Sequence, residues 1–351
     1  MAKITAAQYN AIQSSVASIL GTGSGNSGYG QSVASSQVVA GSTIRLSQFT
    51  NLRNDLIRIR NHQGVGITNG SGATGSPAGS YNQLIVPTST SVISDALRVQ
   101  YTNMSGQIAT DKLVRPAEAN LIVSVINNTV TIPAQFSLTT LANAAGSNST
   151  TATFNGTRVH TITVTGSTAN PASGNQGSTT ANSAANLRHF FNAGGSFRFS
   201  ASRTGGSVNN KNTYWTALLN FGTIEFRGDT VTVSTAGLYS GTVTTSVNYR
   251  TLTTSPQTFF TIAGSVVTGA TNTPYNTASV TMTAQKTADN SGMTFIITYN
   301  DASVGGGGPN DEQVDGTFAS NCALLRPVGT IQTSGTNSVT IVAPTVTSTM
   351  T

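Results

Sequence analysis

The sequence is short of charge: only 8% of its 351 residues are charged, whereas soluble proteins ordinarily have about 25%. Its single cysteine, Cys322, excludes an intramolecular disulfide, and the apolar residues around it favour a buried thiol over a reactive one. No apolar run approaches the roughly 18 residues of a transmembrane helix, and the first residues lack the apolar core of a secretory signal. We therefore expect a protein made in the cytoplasm and not inserted in a membrane.

Residues that could perform acid, base or metal chemistry are also scarce. The three histidines, His62, His160 and His189, lie far apart and match no metal or nucleophile spacing, so we expect them to be structural. Asn310–Asp315 carries three of the eleven carboxylates, and we favour an exposed loop over a Ca²⁺ site there. A glycosidase pair stays open, since such carboxylates meet only in the fold. The sequence favours a protein that is not an enzyme, with no metal and no cofactor.

The basic residues are spread thinly although the net charge is +6. Nucleic-acid binders usually cluster lysine and arginine on one surface, so we expect no nucleic-acid partner. The densest group is a helix with Arg45, Arg53, Arg58 and Arg60. This helix is interpreted either as a solvated face or as a docking face, together with Phe49, for an acidic partner.

Helical periodicity dominates the first third of the chain. Thr5-Ala-Ala-Gln8 fits a capping box, and a helix should follow it up to the glycine-rich run Gly21–Gly30. A second helix should run from near Ser47 to His62, so that residues 1–63 form a helical hairpin. After a Gly/Ser-rich linker at 64–80, a second helical block is predicted at 81–130, with one helix over Asp95–Ile108 and another over Pro116–Val125.

Beyond about residue 130 the apolar period changes from 3.6 to 2, which indicates strands. Many short alternating segments separated by turn residues are typical of a sandwich or barrel. Two helical insertions are predicted, at Asn182–Phe191 and at Asn212–Phe221. The predicted fold is α+β, mainly β: an N-terminal helical docking region, then an antiparallel β-sandwich with short helical insertions at 131–351.

The most specific stretch surrounds a pair of phenylalanines. A short helix should bring His189, Phe190 and Phe191 into a core, and Gly194-Gly195 should turn the chain sharply into a strand. Trp215 is expected to pack on the same core. An aromatic ligand site is the less favoured alternative.

Three N-terminal segments, Ile4–Ile12, Leu20–Gln31 and Leu52–Gln63, resemble the N-terminal region of virion structural proteins of tailed phages, especially contractile-tailed phages of cyanobacteria. The block Arg188–Gly195, with the Trp215 segment after it, resembles a recurring module of those proteins. The resemblance implies a component of the tail, baseplate, neck or fibre, located in the virion, and brings no catalytic residues.

We therefore expect a subunit that assembles with other virion proteins and with copies of itself, as a trimer or hexamer. The tail Thr336–Ser348 could add a strand to a neighbouring subunit. The alternatives are a receptor- or glycan-binding adhesin of the tail, with loops at 166–181, 269–278 and 304–315 as its tip, a capsid decoration protein, or a polysaccharide-degrading enzyme.

Overall fold

A computed structural model describes residues 4–69, 82–88, 95–113, 121–131, 156–168, 182–206, 208, 210–233, 241–267, 276–301, 314, 316–327, 339 and 341–351. The chain forms two compact units, and each is built from segments that are distant in sequence. The first unit comprises residues 1–122, 166–195 and 326–344, and the second comprises residues 123–165, 196–325 and 345–351. These boundaries differ from the contiguous division predicted from composition.

The first unit begins with the helix that the capping box predicts. Helix α1 spans Ala6–Leu20; the Thr5 hydroxyl accepts from the Gln8 amide, and the Gln8 side chain accepts from the Thr5 amide. These two bonds satisfy backbone donors that have no partner inside the helix. The helix ends at Gly21, as the glycine-rich run predicts.

Helices α2 (Leu46–His62) and α3 (Asp95–Thr110) complete the helical core of this unit, with a small parallel pair of strands, β1 (Thr68–Asn69) and β2 (Gln83–Leu84). The Phe49 ring of α2 meets Tyr9 of α1 at 5.3 Å and Tyr101 of α3 at 5.7 Å between centroids, both edge to face. Such pairs add specific geometry to apolar burial. The helices predicted at 47–62 and 95–108 are confirmed.

The helix predicted over Pro116–Val125 is wrong, because strand β3 spans Leu121–Thr131. Most residues of this strand are β-branched, and a branched Cβ packs better on a pleated sheet than against a helical turn. The spacing of Leu121, Ile122 and Val125 fits both periods over so short a run. Within the described residues, the block at 81–130 therefore holds the short strand β2, one helix and then strand β3.

Helix α4, Ser183–Asn192, also belongs to the first unit. The Asn182 side chain caps it by accepting from the amides of Ala184 and Ala185 at 3.0 and 3.2 Å. Gly194 follows with a φ of +87°, which favours glycine. The helix and the sharp turn after it are as predicted.

The second unit contains two sheets and a short helix, α5 (Asn210–Leu218). The strands after β3 are β4 (Gly156–Thr165), β5 (Ser196–Thr204), β6 (Ile224–Phe226), β7 (Val231–Val233), β8 (Thr242–Val243), β9 (Gln257–Ala263), β10 (Ser279–Lys286), β11 (Gly292–Asp301), β12 (Thr317–Pro327) and β13 (Thr345–Met350). The five-stranded sheet has the order β3-β12-β5-β6-β7, and the six-stranded sheet has the order β13-β4-β11-β10-β9-β8.

Phenylalanine rings from both sheets form the core between them. Phe197, Phe199 and Phe226 of the five-stranded sheet meet Phe295 of the other sheet with centroids 4.9–5.1 Å apart. Phe259 joins them, 5.1 Å from Phe226. All of these side chains are fully buried. The predicted α+β, mainly β fold, with an antiparallel sandwich and short helical insertions, is confirmed.

Candidate functional site

The predicted docking helix presents only part of its basic face to solvent. Arg45 is exposed, and Arg53 is half-buried and donates to the side chain of Asn69. Phe49, Arg58 and Arg60 are buried, with 1%, 8% and 0% of their surface exposed. These three side chains are internal to the first unit, so the structure leaves only Arg45 and Arg53 of the predicted set for docking.

Two arginines can be buried because each meets acceptors fixed by another segment. Arg60 donates from Nη1 to the Asp111 carboxylate at 2.6 Å and to Gln63 Oε1 at 2.9 Å. Arg58 donates to the Ser32 carbonyl at 2.8 Å and lies 3.5 Å from Asp55. A buried charge is tolerated only when paired and hydrogen-bonded in this way. The arginines thus join α2 to the segments that precede and follow it.

His62, at the end of α2, connects three segments of the first unit. Its Nε2 lies 2.8 Å from the Ala193 carbonyl after α4, and its ring is 4.7 Å from the Tyr29 ring. The Tyr29 hydroxyl in turn donates to the Lys112 carbonyl at 2.7 Å. Burial lowers the pKa of His62 to about 4, so the ring is neutral at neutral pH.

Helix α4 holds the glycine-rich loop 21–30 through that loop's carbonyl oxygens. Arg188 donates to the carbonyls of Ser27 and Thr22 at 2.6 and 2.7 Å. His189 Nε2 lies 2.9 Å from the Thr22 carbonyl, and Asn192 donates to the Ser27 carbonyl at 3.0 Å. Burial lowers the pKa of His189 to about 4. We call Arg188, His189 and Asn192 the α4 clamp.

Two glycines permit the close approach around α4. A Cβ on Gly30, whose φ is +68°, would lie 2.3 Å from His189 Nδ1. A Cβ on Gly195 would lie 2.6 Å from the Phe190 ring. These positions need glycine because larger residues would overlap the clamp or the core.

The two aromatic segments of the predicted common core fall in different units. The Phe190 and Phe191 rings meet edge to face at 5.1 Å in the first unit, whereas Trp215 is buried in α5 of the second unit. The chain passes from one unit to the other between Gly195 and Ser196, so residues that are adjacent in sequence belong to different units. The packing of Trp215 on the core of Phe190 and Phe191 stays a prediction.

A serine–histidine pair in the second unit has the spacing of a nucleophile and its base but no exposure. His160 Nδ1 lies 2.7 Å from Ser320 Oγ, and the Tyr299 hydroxyl lies 2.6 Å from the same oxygen. His160 and Ser320 are 0% exposed, so a substrate could not reach the hydroxyl without opening the sandwich. Burial lowers the pKa of His160 to about 4. We interpret this group as a polar connection between the two sheets.

Two further chemical groups lie in the interior of the second unit. Lys211 and Asp301 form an ion pair of 2.6 Å, with 1% and 0% of their side chains exposed. Cys322 is buried as predicted, and burial raises the pKa of its thiol. No local pattern indicates the Lys211–Asp301 pair, because its members are ninety residues apart. Asp311, Glu312 and Asp315 of the carboxylate loop lie outside the described residues.

The outer face of the six-stranded sheet carries threonines on every strand. Cross-strand registers place them in rows, such as Thr349–Thr161, Thr347–Thr163–Thr294 and Thr298–Thr281–Thr261–Thr242. We call this the threonine face; it comprises Thr161, Thr163, Thr165, Thr242, Thr261, Thr281, Thr283, Thr294, Thr298, Thr345, Thr347 and Thr349. All are at least partly exposed, while His160, Ile162 and Val164, which alternate with the threonines on β4, are buried.

The charged residues of these six strands stand at positions of the opposite parity. Arg158, Lys286 and Asp301 pair with Tyr299, Met293 and Gly156, and so lie out of the threonine rows. The outward-facing positions of the six strands as described therefore carry no charged side chain. The sequence showed the alternation, but only the register brings the threonines of six strands onto one surface.

The C-terminal strand pairs within its own chain. Strand β13 adds to the edge of the six-stranded sheet beside β4, and Thr351 exchanges two backbone bonds of 2.9 Å with Val159. The segment that was predicted to add a strand to a neighbouring subunit thus pairs with β4 of its own chain. In this pairing threonine lies opposite threonine and valine opposite valine. Residues 336–338 and 340 of the predicted tail lie outside the described residues.

Comparison with protein-family models, with curated proteins and with solved structures gave no match. Among the described residues, no helix has both the length and the apolar character needed to cross a membrane. The same residues contain no group of three or more histidine, cysteine or acidic side chains placed to hold a metal ion. The functional interpretation therefore depends on the geometry described above.

Proposed function

We propose that this chain is a non-enzymatic structural subunit of a tailed-phage virion, in the tail, baseplate, neck or fibre. The observation that supports this best is the placement of its few ionisable groups. All three histidines and the pairs Arg60–Asp111 and Lys211–Asp301 lie wholly or mostly in the interior, bonded to segments distant in sequence. Used in this way, the few charged groups connect distant segments within each unit, which supports a structural role over a catalytic one.

Assembly with other virion proteins would use what the first unit leaves exposed. With Phe49, Arg58 and Arg60 buried, the docking region contracts to the segment that enters α2. Val39 and Leu46 are exposed apolar side chains there, 75% and 41%, and Arg45 stands beside Leu46. An apolar pair with one cation suits a partner surface that has an apolar patch and a carboxylate.

The test is whether the chain belongs to the particle. A lysate of the host that carries the gene is banded on a caesium chloride gradient, and the chain is measured by peptide mass spectrometry in each fraction. We expect a constant ratio of this chain to the major capsid protein through the particle band. Recovery of the chain in the soluble fractions alone, with intact particles lacking it, contradicts the proposal.

A glycan-binding adhesin of the tail is the second candidate, and the uncharged hydroxyl surface of the threonine face favours it. Binding of the purified chain to neutral glycans on an array, at the same affinity with and without Val39→Ser and Leu46→Ser, would support this candidate over pure scaffolding. The chain can serve both as an adhesin and as a structural subunit only if it also fractionates with particles.

A further inference from the structure

The threonine face repeats one side chain in two dimensions. Neighbouring strands stand about 4.8 Å apart, and residues i and i+2 of a strand are about 6.7 Å apart. At each point of this array a threonine offers a methyl group and a hydroxyl that can both donate and accept a hydrogen bond. Thr261 and Thr281 already lie 3.4 Å apart between their hydroxyl oxygens, so neighbouring hydroxyls can be linked across strands.

Such a surface is complementary to itself. A two-fold interface places each patch opposite the same patch of the partner, so a charged group near the axis would meet a like charge. The whole chain carries a net charge of +6, but the outward positions of the described six strands carry none. Hydroxyls have no such conflict, because each can donate to its counterpart or accept from it.

The size of the face indicates how strong such a contact would be. Six strands at ~4.8 Å and six residues of rise at ~3.3 Å cover on the order of 500 Å² per copy. Stable interfaces bury roughly 800 Å² per partner. A single pair of copies should therefore associate weakly, and many copies held in register by a particle would make the contact effective.

We propose that the threonine face is the surface through which one copy of this chain packs on a second copy, sheet face against sheet face. The inference rests on the proposed structural role, and it adds the partner and the contact surface. The occupant is a second copy, since the face lacks charge and its hydroxyls match their own kind. No aromatic side chain lies in the threonine rows to stack on a sugar ring, which makes a glycan the weaker candidate.

The test introduces like charges on the face of the full chain. Thr163→Lys/Thr283→Lys places two ammonium groups on neighbouring parts of the array, where both side chains point outward. The matched control, Thr50→Lys/Thr102→Lys, adds the same charge at exposed positions of α2 and α3. Urea unfolding midpoints establish that both variants remain folded.

Sedimentation velocity is measured from about 10 µM to about 1 mM for all three proteins. We expect the wild type and the control to self-associate alike, and the face variant to associate at least tenfold more weakly. A wild type that stays monomeric throughout, or a face variant that associates like the wild type, overturns the inference. In a second experiment, each protein is pelleted with insoluble cellulose. If the face variant no longer pellets while its self-association is unchanged, the threonine face binds a neutral glycan instead of a second copy.

Failure of the inference about the threonine face can be distinguished from failure of the proposed function. If the chain is present in particles but particles assemble normally with the face variant, the inference fails and the structural role stands. If the chain is absent from particles, the structural role fails whatever the sedimentation shows.

Discussion

At the scale of single residues, the scarce ionisable and glycine positions carry the most structural information. Arg60, expected on a solvated helix face, is wholly buried beside Asp111. Sequence patterns assign arginine to the surface because it is almost never fully buried unless paired. Its partner lies fifty-one positions away, so no local pattern could have indicated the pair.

Gly30 gives the sharpest prediction at this scale. Gly30→Ala should lower the free energy of unfolding by about 2 kcal/mol or more, because the new methyl meets His189 and the left-handed φ disfavours alanine. Gly41→Ala is the matched control: its φ is +84°, but a Cβ there meets nothing within 4 Å. Urea unfolding separates the two, with about 1 kcal/mol expected for the control. Equal losses in both variants would show that the clamp tolerates the methyl.

At the scale of elements, helix α4 could be predicted from the sequence, but its contact with the loop 21–30 could not. Its cap, its length and its terminal glycines were predictable, because these depend on neighbours within a few residues. Its partner, the loop 21–30, is more than 150 residues earlier in the chain. The resemblance linked both segments to one kind of protein, and the structure brings them into contact within one unit.

The α4 clamp should be measurable by removing one donor. Arg188→Gln removes one donor from the carbonyls of Thr22 and Ser27, which keep His189 and Asn192 as partners, and we expect a loss of about 1 kcal/mol. Arg98→Gln removes an arginine from an exposed pair with Asp95 on α3 and should cost under about 0.5 kcal/mol. Limited proteolysis should also cut the loop 21–30 faster in the first variant than in the second. Matching stabilities and cleavage rates would mean that the clamp does not hold the loop.

At the scale of the whole molecule, burial of every histidine predicts sensitivity to acid. Burial lowers the pKa of His62, His160 and His189 from 6.5 to about 4. Between these values the unfolded chain binds protons that the folded chain does not, so the free energy of unfolding falls as the pH falls. Well below pH 6.5 the slope should approach about 1.4 kcal/mol per pH unit for each histidine.

Urea midpoints at pH 7.5, 6.5, 5.5 and 5.0 test this in a range where most unfolded carboxylates stay ionised. His189→Gln removes one of the three titrating rings, so the free energy of unfolding of this variant should depend less steeply on pH than that of the wild type. A midpoint that stays constant from pH 7.5 to 5.0 would contradict the burial of the three rings.

The sequence by itself determined the local elements: the cap of α1, the helices at α2, α3 and α4, and the alternation of the strands. Each depends on propensity and period over a few residues, which the chain carries wherever it folds. Only the tertiary structure decided which segments meet. Leu121–Thr131 forms a strand, to which its many β-branched residues are suited, and Arg58 and Arg60 became internal because distant carboxylates and carbonyls met them. The tertiary structure also produces the threonine face. Low charge is a property of the sequence, but an uncharged surface arises only when the register aligns six strands.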